Sequence, residues 1–117
     1  MSASINVSVS ARSQSEERFA ITVAFAVKPS WRAHFLKLVR INAAASLKVE
    51  VGCLCFDVLA PFKGDGTDIL LYEVYKDRAA FESHLASSHF LTFDEATRDM
   101  LLAKTVSEFR VEAPLIE

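Results

Sequence analysis

Apolar residues fall at every second position from Phe19 to Val27, at Phe19, Ile21, Val23, Phe25 and Val27. That is the period of a strand. Lys28-Pro29-Ser30 ends the alternation, and Pro29 suits a helix start, where its missing N–H is not needed. From Trp31 to about Val49 the period becomes helical, with Trp31, Phe35, Leu38, Val39, Ala45 and Val49 on one stripe. Gly52 ends the connection. Cys53 to Ala60 predicts a second strand. Pro61 to Thr67, with Gly64-Asp65-Gly66, predicts a turn, and Asp68 to Tyr75 a third strand. Asp77 is a good N-cap for a second helix from Arg78 to about Ala86. Ser87-Ser88 interrupts it, Phe90 to Ala103 reads as another helical piece, and Val106, Phe109 and Val111 form a fourth strand ended by Pro114.

The order β-α-β-β-α-β predicts an α+β, ferredoxin-like sandwich with helices on one face of an antiparallel sheet. The second and third strands are apolar on both parities: Cys53, Cys55 and Leu59 against Leu54, Phe56 and Val58, then Ile69 and Leu71 against Leu70, Tyr72 and Val74. Two helical regions cover only one face. The other face therefore predicts a homodimer packed sheet on sheet. Residues 18–117 read as the folded domain. Residues 1–17 are Ser-rich and read as a mobile tail, although Ile5, Val7 and Val9 alternate as an edge strand would.

Composition narrows the picture. The 117 residues suit one compact domain. A net charge of −2, from 13 basic and 15 acidic residues without a basic cluster, argues against nucleic acid as a partner. No run is long and apolar enough for a membrane span, and the N-terminus lacks the apolar core of a secretory signal. Cys53 and Cys55 sit too close in sequence for an easy disulfide, which fits a reducing, cytoplasmic setting.

The chemistry concentrates between Tyr72 and Phe93. Two of the three histidines, His84 and His89, lie there with Glu73. A carboxylate and imidazoles beside an apolar framework are what proton transfer near neutral pH requires. Asn42 falls on the buried stripe of the first helix, with Ser46 one turn later. As a buried amide it either finds structural partners or lines a cavity. His84 follows Phe81 by one helical turn and faces the same sheet, so Asn42 and His84 meet in a pocket between helices and sheet. His89 caps the next helix or lines that pocket. Glu73 interrupts an apolar strand in phase with Leu71 and Tyr75. It orients or deprotonates a histidine, or pairs with a cation. Asp57 reads as structural and His34 as interfacial.

Other chemistries find no motif. His84 and His89 are five apart, off the spacing that puts two ligands on one helical face, and Cys-x-Cys alone is a weak signal, so no metal site is indicated. There is no Gly-rich phosphate loop and no nucleophile elbow, so no cofactor is indicated.

From Phe19 to Pro114 the chain resembles the antibiotic biosynthesis monooxygenase domain family. The resemblance rests on Asn42 and Ser46 before Glu50-Val51-Gly52-Cys53, on Phe56-Asp57-Val58, on Tyr72 to Asp77, and on Ala80, His84 and His89-Phe90. Val51 stands where the family usually has proline. The resemblance implies a dimeric α+β barrel with a small-molecule site between helices and sheet. His84, Asn42 and Glu73 would then be catalytic, and Tyr75, His89, Phe56 and Ser46 would bind substrate. It also implies a choice of activities: cofactor-independent oxidation of a small phenol or quinol first, then isomerisation of a phosphorylated hydroxy-dione, haem binding or degradation with His84 as axial ligand, or non-catalytic binding. The isomerase reading needs a cation in the pocket, and Lys37, Arg40 and Lys48 all point outward.

Overall fold

The computed structural model describes residues 17–64 and 68–113. Its elements are β1 (Phe19–Val27), α1 (Arg32–Val49), β2 (Cys53–Leu59), β3 (Asp68–Tyr75), α2 (Arg78–Leu85), α3 (Ser88–Thr97) and β4 (Leu101–Arg110), with 3-10 turns at Pro29–Trp31 and Arg98–Met100. The N-terminal tail with its Ile5-Val7-Val9 alternation, the tip of the predicted turn, and Pro114 lie outside the described residues.

All strand pairs are antiparallel and the sheet order is β2-β3-β1-β4, the ferredoxin-like arrangement that the element order predicts. The odd-numbered residues of β1 all turn to the helices and are buried. Phe35 and Val39 of α1, Ile69 and Leu71 of β3, Phe81 of α2 and Phe93 of α3 close over them. Phe25 meets Phe35 edge-on at 4.9 Å between ring centroids, and Phe93 lies 5.8 Å from Phe35. Offset and edge-on rings gain attraction beyond the area they bury. The predicted stripe of α1 is buried only in its middle; Trp31 and Val49, at the ends, project past the sheet and are exposed.

Strand β4 begins five residues earlier than the alternation suggested, and the helical piece before it ends at Thr97 rather than Ala103. The run Met100-Leu101-Leu102-Ala103 carries no decisive period. Long-range pairing decides it. Thr97 Oγ1 donates back to the Phe93 carbonyl at 2.8 Å, Lys28 N–H donates to the Met100 carbonyl at 2.8 Å, and Leu101 then pairs with Val27.

A second departure lies in β2. A register shift pairs Cys53 with Tyr75 but Cys55 with Val74, so the two thiols face opposite sides instead of the same one. The bulge turns Cys53 and Phe56 to the core together and sends Cys55 and Asp57 to the open face. That face carries Leu59, Leu70, Tyr72 and Phe109, all exposed in the single chain.

The α1–β2 connection fixes where α1 ends relative to α2. Gly52 accepts from the Lys76 N–H at 2.9 Å, and a Cβ on Gly52 would lie 2.5 Å from Ala80 Cβ. Only glycine lets the turn lie this close to the start of α2. Asp77 caps α2 as predicted, Oδ1 accepting from the Ala80 N–H at 2.8 Å.

Candidate active site

The Gly52 approach brings Glu50, the residue just past α1, against the histidines. Glu50 Oε2 lies 2.8 Å from His84 Nδ1 and 2.5 Å from His89 Nε2. Ser87 joins the two helices that carry those histidines. Its hydroxyl donates to the His84 carbonyl at 2.7 Å and accepts from the Phe90 N–H at 3.2 Å, so it ends α2 and starts α3. The break at Ser87-Ser88 thus turns His89 back beside His84, with ring centroids 5.9 Å apart. The five-residue spacing that argued against a cluster on one helix holds no longer once the residues sit on two.

The hydrogen bonds assign the protons. A carboxylate can only accept, so each histidine donates to Glu50 through the nitrogen that faces it. Ser46 Oγ spends its proton on the Asn42 backbone carbonyl, at 2.8 Å, and so can only accept from His84 Nδ1, 3.4 Å away. His84 therefore carries its proton on Nδ1, and Nε2 makes no hydrogen bond among the described residues. Burial lowers the His84 pKa, against the opposing pull of Glu50. That tautomer leaves the lone pair on Nε2.

His84, Asn42 and Glu73 line one cavity of about 60 Å³ between the helices and the sheet, otherwise walled by Ile21, Val23, Phe25, Leu71, Phe81 and Phe93. The meeting of Asn42 and His84 expected from helical spacing is observed. Asn42 Oδ1 is buried without a partner among the described residues. Leu85, Phe90, Lys104 and Val106 complete the lining; Leu85, Lys104 and Val106 are exposed and mark its mouth. A groove of about 190 Å³ between α1 and α3 shares Asn42 and Phe93 with the cavity and adds His89.

Glu73 does not hydrogen-bond to a histidine. Its Oε1 accepts from the Tyr75 hydroxyl at 2.6 Å. Burial raises the Glu73 pKa to about 7, only partly offset by Tyr75. The same pairing, with burial first, pushes the Tyr75 hydroxyl up. Tyr75, Phe56 and Ser46 are buried beside His84, not on the cavity wall: Tyr75 and Phe56 pack on its ring at 5.4 and 5.9 Å between centroids. They pack around the imidazole. His34 is exposed beside Trp31.

Two members of the site were missed in the sequence, Glu50 and Lys104. In the sequence Glu50 has no role beyond its place in the motif Glu50-Val51-Gly52-Cys53, and only the Gly52 contact reveals its partners. Lys104 was hidden by the misplaced start of β4. Its pairing with Phe25 puts it on the helix side, where it faces Asp94 at 3.5 Å. Lys37, Arg40 and Lys48 are exposed, as expected.

The raised Glu73 pKa has a measurable consequence. The folded state binds its proton more tightly than the unfolded state, so stability is greatest below the unfolded value and falls as pH rises through about 7. Ionising Glu73 in place should cost about 3 kcal/mol. Urea unfolding of wild type and Glu73→Gln at about pH 5 and about pH 8 tests this, because the difference between them isolates Glu73 from the histidines. Glu73→Gln should gain on the wild type at the higher pH. A gap independent of pH would refute the assignment.

A helix-covered antiparallel sheet enclosing an apolar pocket with an imidazole, an amide and a carboxyl defines a small-molecule site on a ferredoxin-like fold. Residues 18–96 match the antibiotic biosynthesis monooxygenase family, and the chain belongs to that family. Among solved structures it is similar to a protein of Nitrosomonas europaea named for that family, with 26% identity, a TM-score of 0.78, and 83% of this chain and 92% of that one covered. Rv0793 from Mycobacterium tuberculosis is 26% identical, with a TM-score of 0.72 and 86% and 97% covered. A Bacteroides thetaiotaomicron structure shares the fold at 22% identity, a TM-score of 0.80, and 88% and 97% covered. No curated protein matches the chain. Among the described residues no helix is long and apolar enough to cross a membrane.

Proposed function

We propose that the protein is a cofactor-independent monooxygenase of a small phenol or quinol, with His84 as its base. The observation that carries the reading is His84, held through Nδ1 by Glu50 and with no partner at Nε2 among the described residues, on the same cavity as Asn42, whose Oδ1 has no partner. Family membership and the neighbours' names support a monooxygenase-like role.

His84 takes the substrate's hydroxyl proton, and the resulting anion supplies electrons to dioxygen. The C–O bond that forms gives a peroxide anion, which recovers the proton from His84. Loss of water and of the ring proton leaves a carbonyl. A hydroquinone and dioxygen thereby give a hydroxyquinone and water, and no other reductant is consumed. Asn42 Oδ1 accepts from the substrate hydroxyl, and its Nδ2 donates to the oxygenated intermediate. Glu73, neutral part of the time near pH 7, can donate to it as well.

The cavity of about 60 Å³ is smaller than the roughly 150 Å³ that holds a benzene ring. A ring therefore enters only as the rim side chains Leu85 and Val106 move aside. The same size speaks against haem. Lys104 supplies the cation that an isomerase of a phosphorylated substrate would need, which keeps that reading second. Oxygen uptake by metal-stripped protein with simple hydroquinones tests the proposal. Uptake with none of them, alongside turnover of a phosphorylated hydroxy-dione, would replace it with the isomerase.

The exposed Leu59, Leu70, Tyr72 and Phe109 support a homodimer closed through the open sheet face. Light scattering at micromolar concentration should give twice the chain mass of 13.0 kDa. A Leu70→Glu variant should give the monomer, and a wild-type monomer would disprove the interface.

A further inference from the structure

Glu50 Oε2, His84 Nδ1 and His89 Nε2 come from three different elements yet lie within 4.8 Å of one another. The oxygenase reading uses the Glu50–His84 pair but has no need of His89. Nor does hydrogen bonding satisfy the cluster. Glu50 Oε1 is buried with no partner, and no lysine or arginine pairs with Glu50 among the described residues. A largely buried carboxyl group facing two imidazoles, with one oxygen idle, has ligating capacity to spare. Two imidazole nitrogens and a carboxylate are also the donor set of zinc and its neighbours in the first transition series.

We propose that Glu50, His84 and His89 bind one divalent transition-metal ion per chain, through Oε2, Nδ1 and Nε2, with a further position open to water. Bonds of about 2.0–2.2 Å to a tetrahedral ion would set the ligand atoms roughly 3.3 Å apart. The carboxylate separations of 2.8 and 2.5 Å are hydrogen-bond lengths and the three atoms lie within 4.8 Å of one another, so the carboxylate must swing back and the two imidazole nitrogens draw together, each by under ~1 Å. Glu50 can do so: it stands beyond the last turn of α1 in an extended conformation, next to the exposed Val51. The swing also frees Oε1 to reach the ion or its water.

Ligation has a consequence that rests on the oxygenase reading. A neutral imidazole bound through Nδ1 keeps its proton on Nε2. The ion would thus occupy the atom through which Glu50 orients His84 and remove the lone pair that takes the substrate proton. The site is inhibitory, reversed by a chelator.

Metal-stripped full-length protein is titrated with Co²⁺, whose visible absorption reports the ligand set, and then with Zn²⁺ in competition. One Co²⁺ per chain is expected, displaced by Zn²⁺. His89→Ala and Glu50→Gln, confirmed folded by circular dichroism, should each weaken binding at least ~10-fold. A Cys53→Ser, Cys55→Ser double variant should bind as the wild type does. No cobalt spectrum, or binding that survives in His89→Ala and Glu50→Gln but is lost with the cysteines, overturns the site. In the activity arm Zn²⁺ should stop oxygen uptake and a chelator restore it. Uptake untouched at saturating Zn²⁺ overturns the inhibitory role. A cobalt spectrum that follows the variants as expected, in a protein that oxidises no quinol, upholds the site and fails the oxygenase.

Discussion

Replacing His84 with alanine should lower the rate of quinol oxidation by about 10²–10⁴-fold, the usual contribution of a positioned general base. The loss should fall on kcat, because His84 is one lining residue among many but the only imidazole among them. Glu50→Gln should cost less. A glutamine can still accept from Nδ1 through its amide oxygen, yet it no longer stabilises the imidazolium that forms when His84 takes the proton. The order of effects separates orientation from chemistry. His84 is buried and packed among Phe56, Tyr75, Phe81 and Phe90, so truncation will also lower the melting temperature. Added imidazole discriminates the two roles. It should enter the space left by the ring and restore part of the rate, which a purely structural histidine would not allow. A folded His84→Ala protein that oxidises quinols at the wild-type rate would remove His84 from the chemistry.

Phe35→Ala should destabilise the fold by about 3–5 kcal/mol, the range for emptying a fully buried aromatic position. Phe35 has no exposed surface and sits between Phe25 and Phe93 at 4.9 and 5.8 Å. Proteins of this size hold only about 5–15 kcal/mol in total, so the melting temperature should drop by roughly 10–20 °C. The effect reaches the site, because Phe25 and Phe93 are cavity walls and Phe35 is the ring they lean on. Looser walls should raise KM. Calorimetry together with urea unfolding measures the loss, and a change below about 1 kcal/mol would mean that the three rings do not form one packed unit.

The local elements were legible because each repeats a short-range signal. The alternation of β1, the helical stripe centred on Phe35, Val39 and Asn42, the Asp77 cap and the Ser87-Ser88 break are properties of neighbours in the chain, and side-chain periodicity fixes them. Asn42 and His84 could be placed on one cavity, and Glu73 marked as a buried carboxyl, for the same reason: each stands out as a polar residue at a position whose neighbours one turn or two residues away are apolar. The order of elements then left one economical sheet.

Tertiary structure alone decided the rest, and each case turns on contacts between residues far apart in sequence. Leu101 to Ala103 has no dominant period, so pairing with Val27 and Ala26 made it strand. A bulge in β2, set by pairing with Tyr75 and Val74, separated the two cysteines that strict alternation places together. Glu50 became the partner of two histidines more than thirty positions away because Gly52 lets its turn lie against Ala80. Lys104 reached the mouth of the cavity only once the start of β4 was known. A sequence displays the chemistry each residue offers and its local period. Which carboxylate meets which imidazole depends on the packing of elements, and here a missing side chain at Gly52 settled it.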